Sequence, residues 1–142
     1  MHGPATRSEY LALRDAVVRA GRRAERRIRF GSPDGAYYAT ETRLLRALHE
    51  GAVVSRRERE ESEDVLAGLF GGLLWVALAG AGVPWPWVPE CFQEAMAALF
   101  AQFASGVFVE SSDARRAVRH LAFAVWTEVA IGPWGPLADE CA

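Results

Sequence analysis

From Val65 to Pro89 the chain carries no charged residue, reading VLAGLFGGLLWVALAGAGVPWPWVP. After Glu90 it resumes as CFQEAMAALFAQFASGVFV, with Glu94 as its one charge. Pro84, Pro86 and Pro89 divide the two halves. Proline has no N–H to donate and pushes the residue before it out of the α region, so the first half should stop near Gly82 and the second should start at Pro89. The pattern predicts a hydrophobic helical hairpin hinged on PWPWVP.

The flanks carry helical periodicity too. Thr6-Arg7-Ser8-Glu9 has the form of a capping box, in which the Thr hydroxyl and the Glu carboxylate satisfy orphan amides. Behind it Tyr10, Leu13, Val17, Ala24 and Ile28 recur at helical spacing, predicting a helix over about residues 8 to 29 with an arginine-rich outer surface. Gly31-Ser32-Pro33-Asp34-Gly35 predicts a sharp loop. A short helix carrying Leu44, Leu45 and Leu48 and ending at Gly51 should follow. The charged run SRREREE is compatible with a short exposed helix or a loop, with Ser62 as N-cap of the first hairpin helix. Past the hairpin, Ser111-Ser112-Asp113 offers an N-cap for a helix with Val118, Leu121, Ala122, Val125 and Val129 on one face, closed by Gly132-Pro133. Trp134 and Leu137 in the tail can pack back. No segment alternates with strand period and no repeat is present, so the fold class is all-α.

Two settings stabilise such a hairpin. A bilayer needs about 20 mostly apolar residues per helix, and Val65 to Gly82 supplies 18. The second half carries Gln93, Glu94 and Gln102 and reads as amphipathic, which favours the centre of a helical bundle. At 142 residues the chain suits one domain spanning residues 1–142. The net charge of −2 hides an asymmetry: residues 1–60 hold 13 of the 16 basic residues against 8 acids, while the remainder holds 3 against 10. Every basic residue is Arg, and Lys and Asn are absent, as a GC-rich genome would produce. The arginines of the first helix form a solvated face interrupted by Asp15 and Glu25, and nucleic acid is not the expected partner. The start of the chain, polar from Met1 to Tyr10, has no signal-peptide pattern.

Catalytic chemistry is thinly represented. Cys91 could pair with His49 or His120, but it lies in an apolar helix that favours a structural thiol. Cys91 and Cys141 make neither a disulfide framework nor a metal pattern. His49-Glu50 opens like a zinc-protease motif, but HEGAV has no second His. No enzyme activity, metal or cofactor is expected. Gly68, Gly71, Gly72 and Gly80 suit close helix approach. Trp85, Trp87 and Trp134 lie at helix ends, where such rings anchor interfaces, line grooves or close the ends of a core.

Taken together, these features resemble the Bcl-2 family of apoptosis regulators, particularly its compact viral members, gammaherpesvirus-like or poxvirus-like; a GC-rich sequence suits a large DNA virus. That family starts its central helix with Gly-x-Asn-Trp-Gly-Arg, and here Gly82-Val83-Pro84-Trp85-Pro86-Trp87 stands in that place. The Gly and the first Trp agree; the Asn, Gly and Arg do not, and in the family that Arg pairs with an aspartate of the bound death-motif helix. A second motif, Trp-Ile-Gln-x-x-Gly-Gly-Trp, corresponds to Trp126-Thr127-Glu128 through Gly132-Pro133-Trp134, one residue longer. A third, Leu-x-x-x-Gly-Asp, falls on Leu45 through Glu50. The resemblance spans about residues 40 to 137. It implies a Bcl-2-like bundle of five to eight helices around the central hairpin.

The resemblance also implies a function carried by a surface. A hydrophobic groove would receive an amphipathic helix from host pro-apoptotic Bcl-2 family proteins and so block cell death. Carried onto this chain, it would be lined by Leu45, Leu48, Val65, Leu69, Phe70, Leu73, Val76, Trp85, Val88 and Phe92. The setting implied is host cytoplasm and the mitochondrial surface, with peripheral membrane contact and a homodimer both compatible. The alternative keeps the fold and changes the partner: poxvirus relatives without the motifs bind host immune-signalling adaptors and suppress NF-κB activation. That alternative suits a register in which Val65 to Gly82 is itself the central helix. A more distant alternative is a small integral membrane protein with the hairpin inserted.

Overall fold

The computed structural model describes residues 4–30, 56–104, 111–133 and 135–137. Four α-helices and one 3-10 turn make up these residues, with no strand among them: α1 (Arg7–Phe30), α2 (Arg56–Gly80), the 3-10 turn (Trp85–Trp87), α3 (Val88–Ala104) and α4 (Ser111–Ile131). The class is all-α, as the periodicity predicts. The expected short helix around Leu44 to Leu48 lies outside the described residues.

α1 begins where its capping box places it. The Glu9 N–H donates to Thr6 Oγ1 at 3.2 Å, and the Thr6 N–H and hydroxyl both reach Glu9 Oε1. α2 starts earlier than expected. It takes in the charged run from Arg56, so Ser62 is an interior helical residue and not the cap. Arg and Glu are strong helix formers, and the run sets opposite charges four apart at Arg56/Glu60, Arg57/Glu61 and Arg59/Glu63, a spacing that supports a helix.

The core is assembled around α2, which packs against α1, α3 and α4. Its buried side chains Leu66, Phe70, Leu74 and Leu78 form one stripe at spacings of four, with Val65 buried beside its start. α3 answers with Val88, Cys91, Ala95, Leu99 and Phe103, and α4 with Ala114, Val118, Ala122 and Val125. Burying a Leu, Phe or Val side chain fully is worth about 1.5–3 kcal/mol, so this interlocked set dominates the folding free energy.

α1 reaches α2 through small residues. Ala20, Gly21 and Ala24 lie over Gly68, and a methyl group on Gly68 would overlap the Ala20 carbonyl oxygen and come within 2.7 Å of Ala24 Cβ. This is the close approach that the glycines of the hairpin predict, localised to one of them. Gly71 lies under the Phe92 ring, whereas Gly72 has open space where a Cβ would sit.

The hinge closes α2 with a Schellman motif. Gly82, at φ 84°, adopts the left-handed conformation. Its N–H donates to the Ala79 carbonyl and that of Val83 to the Leu78 carbonyl, at 3.1 and 3.2 Å. The two residues that such a cap brings into contact, Leu78 and Val83, are both buried. Pro84 is extended, and the Trp87 N–H returns to its carbonyl at 2.9 Å, which launches α3 within two residues of the expected Pro89. At the far end the Leu137 N–H donates to the Ala130 carbonyl at 2.7 Å, so the tail folds back as Leu137 predicts; Trp134 lies outside the described residues.

The two glycines of α2 should therefore answer oppositely to alanine. Gly68→Ala should destabilise the protein by about 1–3 kcal/mol, because the added methyl meets backbone rather than a movable side chain. Gly72→Ala should stabilise it by about 0.5–1 kcal/mol through helix propensity. Urea unfolding followed by circular dichroism measures both, and equal effects at the two sites would contradict the packing described.

Candidate functional site

Of the ten residues expected to line one groove, the eight that are described fall into separate places. Val65, Phe70 and Val88 are buried in the core, Phe70 completely, and Leu69 is half-buried against it. Trp85 and Phe92 belong to an aromatic cluster at the hinge. Leu73 and Val76 face an open groove between α2 and α4. Leu45 and Leu48 lie outside the described residues. A core residue cannot report on a surface: an acid at Phe70 would strand a carboxylate in the interior and unfold the domain.

The groove has a volume of about 540 Å³ and is lined by Leu73, Val76, Ala77, Gly80 and Ala81 from the α2 end, with Arg115, Val118, Arg119 and Phe123 from α4. Val76 is 69% exposed and Phe123 66%, the two most exposed large apolar side chains among the described residues. Small residues at Ala77, Gly80 and Ala81 keep the floor low, and a Cβ at Gly80 would meet nothing within 4 Å. The rim is basic where it is polar. Phe123, Arg119 and the Ala77/Gly80/Ala81 floor are functional candidates that the periodicity reading passed over. The available signal was Phe123, a large ring falling outside the stripe of Val118, Leu121, Ala122, Val125 and Val129.

At the hinge the residues just before α1 dock on the Pro-Trp-Pro-Trp turn. The Ala5 N–H donates to the Pro86 carbonyl at 2.7 Å. Tyr10 sits 5.4 Å from Trp75 and 5.6 Å from Trp85, and Trp75 meets Phe92 edge-on at 5.7 Å. The Arg7 guanidinium lies over the Trp85 ring at 5.7 Å, within cation–π range. Trp85 thus joins α1 to the hinge while remaining 40% exposed. Trp87 lines a smaller cleft of about 160 Å³ with Glu90, Glu94, Glu128 and Gly132 among its other walls.

Cys91 is fully buried, and His120 is exposed on α4, so these two do not form a nucleophile pair; His49 lies outside the described residues. Burial, with the negative charges of Glu90 and Glu94 adding to it, pushes the Cys91 thiol up to about 12. The thiolate that nucleophilic chemistry requires is not formed near neutrality. Among the described residues no group of three or more His, Cys, Asp or Glu could hold a metal ion, and no helix is long and apolar enough to cross a membrane. No protein-family model, curated protein or solved structure matches this chain.

The thiol makes a signed prediction. Its pKa is raised in the folded protein from an ordinary 9.0 to about 12, so the unfolded chain loses this proton first as pH rises. The stability that depends on the neutral thiol is complete below pH 9.0 and is lost progressively towards about 12. In a Cys141→Ser background, an aromatic disulfide reagent at about pH 8 should label Cys91 only as fast as the protein unfolds. Rapid labelling of folded protein would show an accessible thiolate.

Proposed function

We propose that this protein is a Bcl-2-like regulator of host cell death, of the compact viral type, that acts by capturing an amphipathic helix of pro-apoptotic Bcl-2 family proteins. The observation that carries the reading is the open apolar groove between α2 and α4, with Val76 and Phe123 exposed at its mouth. Apolar side chains exposed together beside a groove are a recurrent mark of helix-in-groove recognition, in which anchors at i, i+3/4 and i+7 seat in the groove. The resemblance in the hinge and tail motifs supplies the family, and the all-helical bundle packed on one apolar helix is compatible with it. In this reading the receiving surface is the α2–α4 groove rather than the wider set that the motif alignment suggested. The expected setting is the host cytoplasm and the mitochondrial surface.

One observation favours the second reading, inhibition of innate-immune NF-κB signalling through host adaptors. α2 packs extensively on each of the other three helices, whereas α3 meets α1 only slightly. That supports the register in which Val65 to Gly82 is central and the family's motifs are lost.

Titration of detergent-free protein against labelled death-motif peptides from Bcl-2 family proteins, read by fluorescence anisotropy, tests the reading. Sub-micromolar binding, about −8 kcal/mol or better, is the expected outcome for at least some peptides. Val76→Asp should weaken it by at least tenfold, about 1.4 kcal/mol, with the far-ultraviolet circular dichroism unchanged, because Val76 is largely in solvent. Silence across the panel from a folded sample would transfer the function to the immune-signalling reading.

A further inference from the structure

The α2–α4 groove is graded along its length. Its lining runs from Leu73 to Ala81 on α2 and from Arg115 to Phe123 on α4, just over two turns of each helix, which is about 12 Å at about 1.5 Å per residue. Arg115, Arg119 and Phe123 are four apart and so stand in one row along the α4 wall, basic at one end and aromatic at the other. Every residue that α2 adds to the lining is apolar, and no carboxylate lines the groove. Arg115 is held by an interaction of its own within the fold, and Arg119 is exposed. The volume of about 540 Å³ lies in the range of roughly 300–1,000 Å³ that small-molecule sites occupy.

We propose that this groove is a binding site for a free single-chain carboxylic acid of the fatty-acid type, with the Arg119 guanidinium receiving the carboxylate and the apolar floor receiving the alkyl chain. The inference goes beyond helix capture and uses the same groove, so acid and helix exclude one another. A ligand with one charged head and one apolar tail matches a groove with one basic end. The guanidinium offers a carboxylate parallel N–H donors, a pairing stronger than one between neutral groups. Ala77, Gly80 and Ala81 are small enough to leave a channel for the tail. A tail lying there covers Val76 and Phe123, the two most exposed large apolar side chains among the described residues. An extended chain advances about 1.2 Å per bond, so about ten carbons fill the length of the groove.

Isothermal titration of the full chain at about pH 8, where carboxylates are ionised, with straight-chain acids from hexanoate to tetradecanoate, each kept monomeric, tests the assignment. The expected result is one-to-one binding whose affinity rises about fourfold with each added methylene and flattens beyond about ten carbons. Dodecanol and dodecyltrimethylammonium should bind about tenfold or more below dodecanoate. Arg119→Gln should weaken dodecanoate about tenfold and leave dodecanol unchanged. Gly80→Leu, which raises the floor at a position where a side chain has room, should weaken both while circular dichroism and the thermal midpoint report an intact fold. Silence of the whole series, a rise with chain length that ignores the head group, or dodecanoate binding indifferent to either variant would overturn the proposal. So would flotation of the protein with phosphatidylserine vesicles when dodecanoate gives no heat, which would make this face a membrane surface. Death-motif peptides titrated into the same protein separate this site from helix capture. Dodecanoate binding with silent peptides keeps the site and retires helix capture, and peptide binding with silent dodecanoate does the reverse. Where both bind, dodecanoate should displace the peptide; binding without competition would put the acid elsewhere and overturn the proposal.

Discussion

The contact on which the structure depends is the crossing of α1 over α2 at Gly68. α2 is the helix that every other one packs on, and its apolar stripe can be closed on the α1 side only if the two backbones come near each other. Ala20, Gly21 and Ala24 on one helix and Gly68 on the other permit that approach. Close approach at this point lets the ring of Tyr10 lie against Trp75 further along the same pair of helices. The aromatic cluster then reaches the hinge through Trp85, and the hinge fixes the start of α3. One absent methyl group therefore conditions contacts several turns away, because interiors are packed at crystal-like density and transmit displacement rather than absorbing it.

The hinge shows local chemistry and burial agreeing. A left-handed Gly82 ends α2, and the apolar pair that this cap joins, Leu78 and Val83, belongs to the same core as the helix it terminates. The prolines that follow forbid continuation. The Arg7–Trp85 contact and the Ala5–Pro86 hydrogen bond then tie the beginning of the described chain to this turn. The hinge is held on the α1 side as well as by the two helices it connects.

The helices were legible in the sequence because their signals are local. The Thr6/Glu9 box, the Pro-rich hinge and the Gly132-Pro133 stop each depend on neighbours a few residues apart, and each lies where the sequence places it. Ser62 was misread for the same reason: a good N-cap residue is a local signal, but the Arg/Glu run before it supports helix on its own and extended α2 past the cap. The groove was less legible. Apolar side chains in a stretch as uniformly hydrophobic as the part of α2 from Val65 to Gly80 carry no mark of which face is covered, so Phe70 and Val76, six positions apart, look alike in sequence. The structure makes one fully buried and leaves the other 69% exposed. Phe70 lies against Phe103 of α3 while Val76 borders the open groove beside α4, and no single-segment pattern encodes how those helices cross α2.

The exposure of Val76 and Phe123 is itself an argument. Each ordinarily gains by leaving water, at about 25 cal/mol for every Å² of apolar surface removed. A modest change could cover or remove either: a larger side chain at Gly80 has room to do the first, and a polar residue at position 123 would do the second. The chain instead keeps both beside a low floor and sets arginines along the rim. Two exposed apolar side chains thus meet at one groove, and a departure maintained against stability is expected where a surface serves a partner.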